Sequence, residues 1–343
     1  MAATTASTRD YRHVVVSRQF EGASDYGRHC IGWDSSFQQI RRGTFKAYLT
    51  EAWLGRVQVR HQTFGQSFHW HGASWKGSKV FASYLPNEGG DLYCNNRPLP
   101  ANSFAGYGWD QLDRVTCHGG AELVLVAVDL DLLSSYITRT YAAELSARSA
   151  QAVIFSPDPT LARSFRQEML TVLCDLTRSP EALSDVGLRR MYQERVLSCI
   201  ANALAHLGTS GRSVPPPPTR AYIVDKAVKF MDAHIADRIT LADVCEAVRV
   251  SPRTLRYSFE AIMGVSPTEY LLASRLNRAR DALANPKSQM PIQMAAAHSG
   301  FWHMGRFAKS YRQMFGERPS ETCLRLRGRA ADASNMPAHL VSF

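Results

Sequence analysis

The sequence predicts an α+β protein of two domains: an N-terminal β-barrel with packed helices, and a C-terminal all-α domain with a double helix-turn-helix. Three observations support this prediction. Strand patterns precede helical patterns, a proline-rich stretch divides the chain, and the region after that stretch repeats itself. With 343 residues, the chain is long enough for two domains that each bury a hydrophobic core.

The N-terminal region contains strand patterns first and helical patterns afterwards. β-Branched and aromatic residues between turns rich in Gly, Pro and Asn predict strands at 44–52, 56–63, 78–85, 103–107 and 122–129. Apolar residues at helical spacing predict helices at about 130–141, 159–176 and 187–207. This order favours a sandwich or barrel with helices packed beside it.

The clearest domain boundary is the stretch 208–218, GTSGRSVPPPP. Gly and Ser loosen the chain there, and four prolines then hold it extended. We therefore expect an N-terminal domain over 1–207, a linker over 208–218, a helical domain over 219–328 and a tail over 329–343.

The positive charge of the chain is concentrated after this boundary. The net charge is +10, and residues 219–330 alone hold 18 Lys and Arg against 10 Asp and Glu. Residues 1–218 hold 22 against 19. A surplus concentrated in one third of the chain favours a nucleic-acid partner over a merely solvated surface.

Composition argues against a membrane or secreted protein. The longest apolar run, 123–128, is far shorter than the roughly 20 residues of a membrane span. The N-terminal residues MAATTASTRD lack the apolar core of a secretory signal. Seven cysteines, without a C-x-x-C pair, are typical of reduced thiols. We expect a cytoplasmic protein with no membrane contact.

Residues 240–320 match themselves at an offset of 52 positions. The aligned pairs are Leu255 with Phe307, Phe259 with Tyr311, Met263 with Phe315, Gly264 with Gly316, and Pro267 with Pro319. Each copy has the pattern of a short helix, a tight turn and a second helix. Two such units on a basic domain are what a protein that reads the major groove requires.

Local signals delimit the helices of both copies. Thr240 and Ser251 are typical helix caps, and Gly264 ends the second helix of the first copy. A capping box at 266–269 opens a joining helix that runs to about Ala284. The second copy runs from 292 to 297, turns at Ser299-Gly300-Phe301 and continues from about 303 to 315. In the first copy Leu255, Phe259 and Ile262 are expected to face the core.

These motifs resemble the DNA-binding domain of AraC/XylS-type bacterial transcription regulators. Gly300-Phe301, Phe307, Tyr311, Phe315-Gly316 and Pro319 are similar to the signature that closes that domain, and SPRTLRYSF, from Ser251, is similar to its first recognition helix. The resemblance covers about residues 220–325. The stretch GFWHMGRF also resembles the branch that contains ethanolamine-utilisation regulators.

The resemblance implies which residues contact double-stranded DNA. These are Ser251, Arg253, Thr254, Arg256 and Tyr257 in the first unit, and His303, Met304, Gly305, Arg306, Ala308 and Lys309 in the second. It also implies RNA polymerase as a partner, a cupin-like effector domain before the linker, and dimerisation through the helices of that domain.

The motif FHWHGASW, residues 68–75, raises the alternative of a metal site. His69 and His71 lie two residues apart, so their side chains share one face of a strand. A cupin metal site needs an acid shortly afterwards, and the following residues Gly-Ala-Ser-Trp-Lys-Gly contain none. His61 and His118 have no spacing that demands a metal. We therefore expect no metal or other cofactor.

Five of the six tryptophans lie before the linker and favour either a packed core or an aromatic pocket. As a pocket they would bind a small-molecule effector, such as a cationic amine held by cation–π contacts with Asp110 or Asp113 as counter-charge. The candidate pocket residues are His69, Trp70, His71, Trp75, Tyr84 and Trp109.

The sequence thus predicts an effector-controlled transcription regulator, an activator, with no enzymatic activity. Two alternatives stay open. One is a metal-dependent cupin enzyme with an appended basic domain, and the other is a DNA binder that does not respond to a ligand. The sequence does not name the effector or the operator.

Overall fold

The computed structural model describes residues 13–30, 32–86, 90–140, 153–207, 219–285 and 290–325. The chain forms two compact units. The N-terminal unit comprises residues up to Phe37 and residues Lys46–Pro218, and the C-terminal unit comprises Gln38–Phe45 and the residues from Thr219 onward. The predicted linker 208–218 and tail 329–343 lie outside the described residues.

Two antiparallel sheets build the N-terminal unit. The larger one has the strand order β1-β3-β4-β11-β6-β9-β12 and the smaller one β2-β5-β10-β7-β8. The strands are β1 Val14–Phe20, β2 Asp34–Gln39, β3 Ala47–Trp53, β4 Val57–Phe64, β5 Phe68–Ala73, β6 Ser78–Pro86, β7 Leu92–Cys94, β8 Arg97–Leu99, β9 Phe104–Gly108, β10 Arg114–Cys117, β11 Ala121–Asp129 and β12 Ile154–Ser156.

The central strand β11 sets the register of the larger sheet. Val126 pairs with Val59 on β4 and with Phe81 on β6, and all three side chains are buried. The strand pairs of the described residues leave both sheets open, with β1 and β12 at the edges of the larger one. The architecture is therefore a mixed α/β unit with two open sheets, and the closed cupin-like barrel is not observed.

Helices cover the outer face of the larger sheet. The first helix, α1 Ala23–Arg28, instead packs Tyr26 against Phe37 and Phe64. The covering helices are α2 Leu130–Thr140, α3 Pro159–Arg178 and α4 Val186–Leu207. Their apolar side chains meet those of the sheet in one core, which includes Val57, Val126, Phe165, Met169 and Ile200. The predicted strands and helices of this region are all present, with ends shifted by a few residues.

The C-terminal unit is helical after the linker. Its helices are α5 Thr219–Ala233, α6 Leu241–Val248, α7 Pro252–Met263, α8 Pro267–Ala284, α9 Ile292–His298 and α10 Met304–Phe315. Residues 319–325 form a further helical turn. The joining helix α8 has 18 residues, as predicted, and both its capping box and its start at Pro267 are present. Within the residues described, no helix is long and apolar enough to span a bilayer.

Candidate DNA-binding surface and ligand cavity

The first helix-turn-helix consists of α6 and α7. Thr240 and Asp243 form a reciprocal capping box at the start of α6, and the Ser251 hydroxyl accepts from the Thr254 backbone N–H at the start of α7. Arg249 takes the left-handed conformation in the turn (φ 57°) and Gly264 does so at the end of α7 (φ 67°). The caps predicted from the sequence therefore define this unit.

One face of α7 is buried and the other is open. Leu255, Phe259 and Ile262 are at most 3% exposed, as predicted. The five side chains assigned to DNA contact are all exposed: Ser251, Arg253, Thr254, Arg256 and Tyr257. The Arg253 guanidinium lies 5.4 Å from the centre of the Tyr257 ring. Arg256 Nε donates to Glu260 Oε1 at 2.7 Å, so this arginine is held extended along the helix surface.

The second unit consists of α9 and α10. The turn between them needs Gly300, which has φ +79°; a Cβ there would lie 2.9 Å from the Ile235 carbonyl oxygen and from Arg275 Nε. His303 is the N-cap residue of α10, without a side-chain cap bond, so the helix begins one residue after the predicted position.

The outer face of α10 is also open. The residues assigned to DNA contact there are all exposed: His303, Met304, Gly305, Arg306, Ala308 and Lys309. Trp302, which the sequence analysis did not select, is 58% exposed beside them and lies under the Arg238 guanidinium at 4.6 Å. Its position directly before the predicted contact residues was the available signal. An exposed Trp–Arg pair next to a recognition helix extends the candidate surface.

The internal repeat has a structural counterpart. The aligned core residues Leu255 and Phe307, Phe259 and Tyr311, and Met263 and Phe315 are all buried. The aligned glycines Gly264 and Gly316 both end a recognition helix in the left-handed conformation. The chain therefore uses one helix-turn-helix design twice, and α8 joins the two copies.

A cavity lies between the two sheets of the N-terminal unit. Its volume is about 70 Å³, counted as the space open to the centre of a water-sized molecule. Both sheets line it, through Phe68 and Trp70 of β5 and through Arg60 and Gln62 of β4 among others. Apolar and aromatic side chains form most of the wall, which is usual for sites that bind small molecules.

Arg60 is the buried charge of the cavity. It is 2% exposed, its Nε lies 3.4 Å from Glu51 Oε2, and its guanidinium lies 5.3 Å from the Trp33 ring centre. Burial raises the pKa of Glu51, while Arg60 opposes that shift. The pair is thus an internal ion pair behind an apolar cavity. Sequence analysis missed it, although the polar alternation Gln58, Arg60, Gln62 on β4 was visible.

The histidine pair lies on the other face of its strand. Phe68 and Trp70 line the cavity, whereas His69 and His71 are not among its lining residues. His69 is buried and its Nδ1 lies 2.9 Å from Thr116 Oγ1 on β10. Burial, with Arg114 nearby, lowers the pKa of His69 to about 3. Among the described residues, no group of three or more His, Cys, Asp or Glu is arranged to hold a metal ion.

The six candidate pocket residues are therefore divided. Trp70 and Tyr84 line the cavity. Trp75 stacks on Trp53 at 5.2 Å within a separate buried cluster, and Trp109 is half-buried outside the cavity. The expected counter-charge Asp113 pairs with Arg114 at 3.1 Å instead.

Residues 244–325 match the helix-turn-helix domain family. A solved Chromobacterium violaceum transcriptional regulator, described by its AraC-type DNA-binding domain, is 30% identical; the match covers 31% of this chain and 92% of that one, with a TM-score of 0.29. Residues 244–325 form a helix-turn-helix domain.

Curated relatives agree with this assignment. The probable thc operon regulatory protein of Rhodococcus erythropolis is 32% identical over 52% of this chain and 55% of its own length. The XylDLEGF operon transcriptional activator 2 of Pseudomonas putida is 36% identical over 29% of this chain and 63% of its own length. The chain thus spans just over half of the first of these relatives.

The AraC/XylS resemblance drawn from the sequence is confirmed. The matched relatives are themselves named as a regulatory protein and a transcriptional activator. The ethanolamine-utilisation branch stays a prediction, because neither relative carries that name.

Proposed function

We propose that this chain is a sequence-specific DNA-binding transcription regulator, an activator, which a small molecule bound in the N-terminal unit controls. The observation that carries the proposal is the pair of recognition helices, α7 and α10, each with a buried face and an exposed polar or basic face. The positive surplus of residues 219–330 supports the same conclusion. The family resemblance adds RNA polymerase and a second copy of this chain as proposed partners, and we place the protein in the cytoplasm.

The joining helix supports a two-site mode of DNA binding. Its 18 residues span about 27 Å at 1.5 Å per residue. That length is compatible with two recognition helices in successive major-groove turns, about 34 Å apart on one face of DNA. Arg253 and Arg256 can each make a bidentate contact to guanine, whereas Met304 and Ala308 offer apolar contacts to thymine methyl groups. We therefore assign most base recognition to α7 and mainly anchoring to α10.

The cavity supports the sensing part of the proposal. It is enclosed by the sheets of the unit that precedes the DNA-binding domain, and Trp70 and Tyr84 of the predicted pocket line it. The finer assignment, a cupin-like sensor domain, rests on the family resemblance and the two-sheet arrangement. The other candidate residues do not line the cavity: His69, His71, Trp75 and Trp109.

A reporter experiment tests the proposal. A promoter bound by the purified protein is placed before a reporter gene, and transcription is measured with and without the chain and with small aromatic compounds added. We expect transcription to rise with the chain and to depend on a compound. If the chain changes transcription by the same amount with every compound and with none, the protein is a ligand-independent DNA binder.

The metal-dependent enzyme is the less supported alternative. His71 pairs across the strands with Arg114, whose positive charge opposes a cation at the histidine pair. Elemental analysis of the purified protein separates the two functions. Stoichiometric iron, zinc or manganese that disappears in His69→Ala and His71→Ala would support the enzyme.

A further inference from the structure

The cavity of the N-terminal unit contains hydrogen-bond donors that no protein group uses. Arg60 and Gln62 are two residues apart on β4, so their side chains share the face that lines the cavity. Gln62 is 4% exposed; its Oε1 accepts from the Tyr26 hydroxyl, and its Nε2 has no hydrogen-bond partner among the described residues. Because Gln62 lines the cavity, this amide group is available to donate to an acceptor of a bound molecule.

Arg60 presents a second donor at the same place. Its Nη2 donates to the Tyr26 hydroxyl at 3.3 Å and to Cys30 Sγ at 3.1 Å, while its Nε faces Glu51. Within the described part of the chain its Nη1 makes no hydrogen bond. Ser35 Oγ, also on the cavity wall, is buried without a partner in that same part. Polar groups on an otherwise apolar wall fix the orientation of a ligand.

The charge of the wall selects the kind of ligand. The Arg60 charge is already balanced by Glu51, which is 2% exposed and does not line the cavity. An anionic ligand would therefore add an unbalanced charge to a buried apolar site, and a cationic one would also meet Arg60. The Trp33 ring is already covered by that arginine, so it is not free to hold an ammonium group.

We propose that the cavity binds an uncharged, apolar molecule about the size of one aromatic ring, which carries one oxygen that accepts from Arg60 and Gln62. The proposal rests on the sensing role proposed above. Phe68, Trp70 and Leu125 contact the apolar body of the ligand. Its oxygen accepts hydrogen bonds from the side chains of Arg60 and Gln62 on β4. A ketone, an amide or a phenol has this chemistry.

Four compounds of similar size test the proposal with the full chain: acetophenone, ethylbenzene, benzoate and benzylamine. Binding is measured by quenching of tryptophan fluorescence and by the rise in melting temperature. We expect acetophenone to bind best, by roughly tenfold over ethylbenzene, which lacks the acceptor. Preferred binding of benzoate or benzylamine would overturn the charge argument, and binding of none of the four would overturn the size class.

Variants locate the binding chemistry. Gln62→Leu keeps the volume and removes the donor, so the preference for acetophenone over ethylbenzene should fall to about twofold or less. His71→Gln, on the opposite face of β5, should leave the preference unchanged. Ser35→Ala serves if Gln62→Leu does not fold. Unchanged preference in both cavity variants would refute the proposal, while DNA affinity, measured on the same samples, reports separately on the regulator function.

A second and independent observation concerns Gln38–Phe45, the connection between β2 and β3, which we call the 38–45 segment. It belongs to the C-terminal unit, although the sequence places it among the N-terminal strands. Gln39, Ile40 and Phe45 are buried there. Neighbours in sequence do not reveal this, because the helical partners of Gln39, Asn277 and Met314, lie more than 230 residues away.

The 38–45 segment bonds to the joining helix and to the end of α10. The Gln39 backbone N–H donates to Asn277 Oδ1 at 3.2 Å, and Asn277 Nδ2 donates to the Gln39 carbonyl at 2.8 Å. Gln39 Nε2 and the Gly43 N–H both donate to the Met314 carbonyl, at 3.0 and 3.1 Å. The last carbonyls of a helix lack partners inside the helix, so these bonds hold the end of α10.

Arg41 of the segment holds the other recognition helix. Its Nη2 donates to the carbonyl oxygen of Gly264, the C-cap residue of α7, at 2.6 Å. A positive charge there also interacts favourably with the helix dipole. One segment thus joins the ends of α7 and α10 to the middle of α8.

We infer that the 38–45 segment positions both recognition helices. Two duplexes are compared: one selected from random DNA, and the same duplex with one half-site scrambled. Gln39→Leu should weaken binding to the selected duplex by roughly 3- to 30-fold, because both recognition helices bind it. The affinity for the scrambled duplex should change by less than about twofold. Arg42→Lys is the control, because its side chain makes no hydrogen bond among the described residues. Arg41→Gln, at an exposed position, serves if Gln39→Leu does not fold. Equal losses on both duplexes, or no loss on either, would overturn the inference.

Discussion

Gly300 offers a quantitative test of the second helix-turn-helix. Gly300→Ala places a Cβ 2.9 Å from the Ile235 carbonyl oxygen and from Arg275 Nε, two atoms that are hydrogen-bonded to each other at 2.9 Å. The residue also has φ +79°, where a side chain is strained. The substitution therefore strains the turn and displaces a bond that attaches α8 to the end of α5.

The magnitude follows from these two effects. A left-handed alanine costs about 1–2 kcal/mol relative to glycine. Loss of a hydrogen bond to a charged group costs about 1.5–3 kcal/mol, of which relaxation of Arg275 recovers a part. We expect the C-terminal unit to lose about 2–4 kcal/mol of unfolding free energy, a fall in melting temperature of roughly 10–25 °C.

Scanning calorimetry of the full chain measures this change, with the transition of the C-terminal unit identified by its shift on DNA addition. Gly305→Ala is the matched control. That glycine is in α10, nothing lies within 4 Å of its added Cβ, and alanine should stabilise the helix by up to about 1 kcal/mol. A Gly300→Ala protein that melts within about 2 °C of the wild type would refute the account of the turn.

Three further predictions concern DNA binding and pH. Arg256→Ala should weaken binding to the selected operator roughly 10- to 100-fold and relax base preference in one half, as measured by competition with single-base variants. Lys309→Ala should weaken binding to all duplexes similarly and lower the slope of log affinity against log salt by about one. An equal effect of Arg256→Ala and Lys309→Ala on base preference would contradict the assigned roles. The folded pKa of His69, about 3, lies below its unfolded value of 6.5, so only the unfolded chain gains this proton as pH falls. The free energy of unfolding should therefore fall between pH 6.5 and 3 by up to about 1.4 kcal/mol per pH unit. His69→Gln should reduce this pH dependence, as measured by urea titrations. An identical dependence in the variant would show that His69 is not the group responsible.

The C-terminal unit was largely predictable because its signals are local. Thr240, Ser251 and Gly264 each act within a few residues of their own position, and helix boundaries follow from such caps. The buried face of α7 follows from the helical period. The internal repeat then predicts the second helix-turn-helix unit, including the left-handed glycine that ends α10.

The N-terminal site was less predictable because its geometry depends on pairing between distant strands. Alternation on β5 correctly places His69 and His71 on one face, but only the sheet arrangement shows that Phe68 and Trp70 face the cavity. The sequence does not indicate that Arg60 of β4 is buried in an ion pair, since its partner Glu51 is on another strand. The position of the 38–45 segment likewise depends on long-range hydrogen bonds.

The most direct test of the central claim is genome-wide binding with the purified full-length protein. Genomic fragments are incubated with the protein at low and at moderate salt, and the retained fragments are sequenced. We predict that a few sites are enriched, and that they share a sequence with two half-sites about one helical turn apart, since α8 separates the recognition helices by about 27 Å. A folded protein that retains no DNA at low salt, or retains all fragments equally, would contradict the claim.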